Sequence, residues 1–139
     1  MAWLIVIGVV CAWLFGKLLK TIVFWAKEGF GVGVLFYDGG MPSLHTISVV
    51  SLSTGLFLEQ GFSALFVLSV VFGLIVINDA FKVRRITQEQ SVIINRLTRA
   101  KKGFKRLDEH VGHSLGEVLV GIIIGVVIPL VVRVLSVGL

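Results

Sequence analysis

Three stretches of this chain, Ala2 to about Trp25, Phe62 to Phe81 and Ser114 to Val137, are mostly apolar over the ~20 residues a helix needs to cross a bilayer core. Inside that core every backbone polar group must find its partner within the chain, and a helix satisfies this segment by segment. A fourth stretch, Ser43 to Leu58, is apolar but short for a full span. Composition agrees. Of the 139 residues, 56% are hydrophobic and 15% charged, against about 45–50% and 25% in soluble domains. The mean hydropathy is +1.00. These values exclude a soluble globular enzyme and a disordered tail, and the single Cys11 excludes an internal disulfide framework. The first apolar run lacks a basic leader and a convincing small-residue cleavage site, so it reads as a retained helix. The expected fold is all-α: one membrane-embedded domain over residues 1–139. It would be an integral membrane helical bundle of about four to five membrane helices with a basic interfacial segment.

The charges give the bundle a direction. Thirteen Lys+Arg against eight Asp+Glu leave a net +5. Nine of the basic residues (Lys82, Arg84, Arg85, Arg96, Arg99, Lys101, Lys102, Lys105 and Arg106) fall between positions 82 and 112, opposed there by Glu89, Asp108 and Glu109. No aromatic-interleaved patch or groove-reading motif accompanies them, so no nucleic-acid partner is expected. In a chain this apolar the block reads as a cytoplasmic segment facing anionic headgroups. With 82–112 inside, the turn Glu59-Gln60-Gly61 is outside and both termini are outside. The Gly-rich stretch Gly29 to Gly40 is then inside, as a loop or re-entrant segment. Arg133 is left as the one basic residue on the outer side.

That topology gathers ionisable residues at the inner membrane level, where each is a functional candidate because burying it is costly. Lys17 and Lys20 close the first helix, and Ser43 and His45 open the second. Asp79, Arg84 and Arg85 lie at the inner end of the third, and His113 and Glu117 open the last. The pair Gly39-Gly40 precedes Pro42, which suits the first turn of a helix. The free amides of such a helix start make an anion site, to which Ser43 adds a hydroxyl. Ser43 and His45 read equally as a plain cap and an interfacial histidine. His113 and Glu117 are four apart and share a helix face. A carboxylate on one imidazole nitrogen fixes the tautomer and leaves the other nitrogen as nucleophile or base. A helix-surface pair and a metal pair compete with that reading, the latter weakly, since two ligands without a Cys partner make a poor zinc site. Arg84 and Arg85 read either as lipid anchors or as a guanidinium clamp on phosphate. Asp79 is expected to orient an arginine rather than hold a divalent cation. Gln90 and Asn95 are expected to hydrogen-bond within the same layer. The scheme requires neither a metal nor a cofactor.

Four blocks in order, GKLLK, GGMPSLHT, NDAFKVRR with QEQSVIINRL following, and GHSLGEVLVG, span most of the chain. Together they resemble the divergent branch of the type 2 phosphatidic acid phosphatase family, related to acid phosphatases and vanadium haloperoxidases. The resemblance implies that Lys20 binds phosphate, with Lys17 as a lesser substitute, and that Ser43 binds it too. It implies that His45 protonates the leaving group, that His113 attacks phosphorus oriented by Glu117, and that Arg84 or Arg85 holds the phosphoryl oxygens. Leu44 stands where the broad family has a small residue, Glu117 where it has aspartate, and Leu107 where it has an arginine six positions before the histidine. The implied activity is a vanadate-sensitive lipid-phosphate phosphatase working through a phosphohistidine, on phosphatidylglycerophosphate or phosphatidic acid. An undecaprenyl pyrophosphate phosphatase and a non-catalytic protein that binds or moves lipid headgroups are the alternatives. A bacterial inner-membrane location with the site on the cytoplasmic side is a further expectation. So is a homodimer formed along Gly116, Gly121 and Gly125, which would let helices approach closely.

Overall fold

The structure, a computed structural model, describes residues 2–31, 40–99, 103–109 and 111–137. Among them every regular element is helical: α1 (Ala2–Glu28), α2 (Leu44–Gln60), α3 (Ala64–Asn78), a π-helical turn (Asp79–Val83), α4 (Arg84–Thr98) and α5 (Leu115–Val137). Most of the Gly-rich stretch, Gly39 included, lies outside the described residues. Among the described residues three segments are long and apolar enough to cross a membrane: Trp3–Lys27, Ala64–Thr98 and Leu115–Ser136.

The centre is taken by a helix shorter than any of those three segments. At 17 residues α2 carries Thr46, Ser48, Ser51, Ser53 and Thr54, and hydroxyls are poor neighbours for lipid tails. It packs against α1, α3 and α5, while α1 also packs against α5. Its hydroxyls are satisfied within the helix: Ser48, Ser53 and Thr54 donate to the carbonyls four residues back at 2.9–3.0 Å, and Ser51 to that of Ser48 at 3.0 Å. Around it a small apolar core joins Ala12, Ile47 and Ile124, with Leu19, Leu44, Val120 and Ile128 against them. The large residues Trp3, Leu14, Leu68 and Val134 point outward, as a surface solvated by lipid requires.

Glycines set how closely α5 meets α2. A Cβ on Gly121 would lie 2.9 Å from Thr46 Cβ and 3.0 Å from the Ser43 carbonyl, and one on Gly125 would lie 2.8 Å from Val50 Cβ. Two members of the stripe read as a dimer surface are therefore engaged inside the protomer, and Gly116 alone faces open space. At the far end of the same helices, Arg133 donates to Glu59 at 3.0 Å, and the Glu59 side chain is only 6% exposed. The one basic residue on the expected outer side thus comes with its own counter-charge.

Two helix starts differ from expectation. Pro42 is not in the first turn of α2; Ser43 is the N-cap, its hydroxyl accepting from the Thr46 amide at 3.4 Å, so the proline stands before the cap. Likewise Ser63 caps α3, accepting from the Phe66 amide at 3.2 Å.

Helices α3 and α4 join through the π turn without leaving helical backbone angles. Ile86, Ile93 and Leu97 face outward on α4, whereas Ser91 and Asn95 are buried. Asn95 clasps the returning chain: its amide donates to Leu107 O at 2.9 Å and Glu109 Oε1 at 2.7 Å, and its Oδ1 accepts from Leu107 N–H at 2.9 Å.

Two outcomes test this packing. Gly121→Leu should destabilise the protein by about 1–3 kcal/mol through overpacking, read as earlier thermal unfolding in detergent, while Gly116→Ala should leave the midpoint unchanged. Asn95→Ala should strip both Leu107 backbone groups of their partner at a cost of about 1–3 kcal/mol. Limited trypsin digestion should then cut faster at Lys105 and Arg106.

Candidate active site

The site grows from the start of α5. Ser114 and Glu117 form a reciprocal cap: the Glu117 amide donates to Ser114 Oγ at 3.4 Å, and the Ser114 amide donates to Glu117 Oε2 at 3.2 Å. The same Oε2 lies 2.9 Å from His113 Nδ1. A carboxylate only accepts, so the neutral imidazole carries its hydrogen on Nδ1 and its lone pair on Nε2. His113 is 2% exposed. One carboxylate therefore caps a helix and fixes a tautomer together.

The start of α2 meets it there. The Ser43 amide donates to the Glu117 carbonyl at 3.1 Å, tying the two helix N-termini together. Both present the positive ends of their dipoles to the same region, a setting that favours an anion. Ser43 is fully buried, and its Oγ accepts from the Thr46 hydroxyl at 3.1 Å as well as from the Thr46 amide. Two acceptances leave the Ser43 hydrogen to be donated elsewhere. Gly40, beside this start, has φ +85°, the left-handed region that favours glycine. Two residues past Ser43, within the first turn of α2, the His45 ring lies with its centroid 6.0 Å from that of His113, the planes tilted by 60°.

Lys20 comes from α1. Gly16, one turn before it, sits against Leu44 and Ile47 of α2, so Lys20 shares the face directed at the start of α2. It is 3% exposed, whereas Lys17 is only half-buried.

The π turn supplies the last wall. Arg84 N–H donates to Asp79 O, five residues back, and so passes over Ala80 O, its ordinary α-helical acceptor. Ala80 O instead accepts the His113 amide at 3.3 Å. Next to it the Gly112 amide donates to Gln88 Oε1 at 3.1 Å, and a Cβ on Gly112 would lie 2.8 Å from Arg85 Cα. The helical ladder is thus shifted where the histidine backbone docks.

The two arginines part company. Arg85 lines a cavity of about 260 Å³ with Gln88, Gly112, His113, Ser114 and Glu117. Its pairing with Glu89, 3.5 Å with both side chains well exposed, is weak. Arg84 turns to Asp79, its Nε donating at 3.3 Å. Two supporting residues lie elsewhere. Gln90 is exposed; the two-residue step from Gln88 turns it about 200° around the helix, away from Gly112. Asn95 is two turns beyond Gln88 and serves the 107–109 clasp. Gly39 lies outside the described residues.

Sequence reasoning passed over Ser114, Gln88 and the Ala80 carbonyl. For Ser114 a signal existed in Ser114-Leu115-Gly116-Glu117, the Ser-x-x-Glu pattern of a capping box. Gln88 and Ala80 act through the register of the π turn, which no local pattern announces.

The divergent PAP2 family matches residues 3–128. In Bacillus subtilis (strain 168), the uncharacterized membrane protein YuiD is 34% identical over 126 residues, covering 78% of this chain and 80% of that protein. No solved structure matches the chain. With four apolar helices holding two histidines, a buried lysine and a capped glutamate at one level, and with a family match over most of its length, this membrane protein belongs to the divergent PAP2 family.

Proposed function

We propose that the chain is an integral-membrane phosphatase that hydrolyses a terminal phosphate monoester on a lipid through a phosphohistidine. One observation carries this reading: two imidazoles with centroids 6.0 Å apart, one of them held by a carboxylate at 2.9 Å. That spacing suits two rings acting on opposite ends of one phosphoryl transfer. The Nε2 lone pair of His113 attacks phosphorus while the bond to the lipid oxygen breaks. His45, as imidazolium, gives its proton to that departing oxygen. Neutral His45 then takes a proton from the water that attacks the phosphohistidine, which releases inorganic phosphate and restores both rings. Lys20, Ser43, Arg85 and the amides at the starts of α2 and α5 balance charge on the equatorial oxygens, where most of the acceleration in phosphoryl transfer arises. Asp79 and Arg84 support the wall beside them.

The basic residues of α4 and the 103–109 segment favour an inner-leaflet site in a bacterial inner membrane. A phosphatidylglycerophosphate or phosphatidic acid headgroup made at that leaflet is the substrate best matched to it.

Purified protein in detergent should release phosphate from one of these lipids. His113→Ala should abolish release, and His45→Ala should lower kcat by about 10²–10⁴-fold. Glu117→Gln should lower kcat more than it raises KM, because it alters the ring's orientation rather than the lipid's grip. Vanadate should inhibit the wild type. Phosphate release by His113→Ala at the wild-type rate overturns the reading.

A further inference from the structure

Beyond the histidine centre, a second polar cavity of about 430 Å³ lies between the end of α4 and the returning chain, lined by Asn95, Arg96, Arg99, Phe104, Arg106 and Glu109 among others. It begins at Val92, one helical turn past Gln88 and about 6 Å along the axis, and shares no lining residue with the cavity around His113. We propose that this cavity is a separate anion site that takes a phosphoryl group carried on a small organic moiety.

The charge balance points to an anion. Three arginines, Arg106 and the exposed Arg96 and Arg99, line it with one carboxylate, Glu109. Of these only Arg106 pairs with it, at 3.9 Å and with its side chain 81% exposed, an arrangement of little energetic worth. Among the described residues Arg96 and Arg99 have no ion-pair partner. Like charges drawn together repel unless something neutralises them, and planar guanidinium forks match phosphoryl oxygens in paired hydrogen bonds. The cavity is also built in advance. Both polar atoms of Asn95 are committed to Leu107 and Glu109, so the second wall is fixed before any ligand arrives. Glu109 Oε1 already accepts from Asn95 at 2.7 Å, which occupies part of the one opposing charge. Phe104 gives one apolar side, suited to the carbon portion of a phosphate ester. Such a group comes either from a soluble ester or from an anionic lipid headgroup.

The test uses the full chain in phosphatidylcholine nanodiscs and titration calorimetry with phenylphosphonate, whose P–C bond a phosphatase does not cleave. Wild type should bind it. Arg96→Gln with Arg99→Gln should weaken binding at least about tenfold, and Arg96→Lys with Arg99→Lys should weaken it less, since charge remains and the fork is lost. His113→Ala should bind as wild type does, since His113 does not line this cavity. Adding phosphatidylserine to the discs then distinguishes the sources. Competition with phenylphosphonate that needs Arg96 and Arg99 supports a lipid headgroup, and undiminished binding supports a soluble ester. Equal binding by wild type and the Gln double variant overturns the proposal. So does loss of binding in His113→Ala, or a wild type that takes up neither phenylphosphonate nor phosphatidylserine.

Discussion

Glu117 is the residue on which the rest of the arrangement turns. A carboxylate at the edge of a hydrocarbon layer is costly unless its oxygens are matched by donors. Here one oxygen receives both the His113 ring and the Ser114 amide, at the positive end of α5. Its own carbonyl receives the Ser43 amide, so the first turn of α2 is joined to the first turn of α5 through a single residue. The residue that makes the histidine chemically useful also joins two helix starts, its carboxylate serving the start of α5 and its backbone carbonyl that of α2. Removing the carboxylate would leave the buried ring and the Ser114 amide without their common partner, so structure and chemistry are coupled there.

The surroundings follow from the same constraint. A bilayer gives no water to unmet polar groups, and this chain meets them at short range. The hydroxyls of α2 bond within their own helix, Glu59 meets Arg133, and the carbonyl passed over by the π turn meets the His113 amide. Apolar packing then needs few large residues. The α2–α5 contact rests on Gly121 and Gly125 against Thr46 and Val50. That is how helices associate where lipid is as apolar as leucine and close backbone approach supplies the attraction.

The membrane class, the helical architecture and the His113–Glu117 partnership were legible in sequence because each depends on local spacing. An apolar run of the right length and a four-residue step on a helix need no tertiary knowledge. The cap at Ser43 was legible for the same reason, and the cap at Ser114 could have been. The rest depended on how elements meet. Whether Gln88 or Gln90 faces Gly112 is settled by the phase of α4, and that phase is reset by one i→i+5 turn at Asp79–Val83. Whether Asn95 belongs to the histidine layer depends on where the chain returns, and it returns along α4 with Leu107 opposite Asn95. The glycines of α5 announced a close neighbour but not its identity; within the protomer that neighbour is α2.

The central position of α2 bears on how the protein enters its membrane. A segment of 17 residues with a hydroxyl in nearly every turn partitions poorly on its own. The turn that follows, Gly61-Phe62-Ser63, is too short to let the next segment wait elsewhere. The strongly apolar α3 is therefore the natural chaperone for its neighbour, and the two would leave the insertion machinery as a hairpin. The geometry of the candidate site would then be assembled last, when the final helix arrives and Glu117 finds the serine already in place.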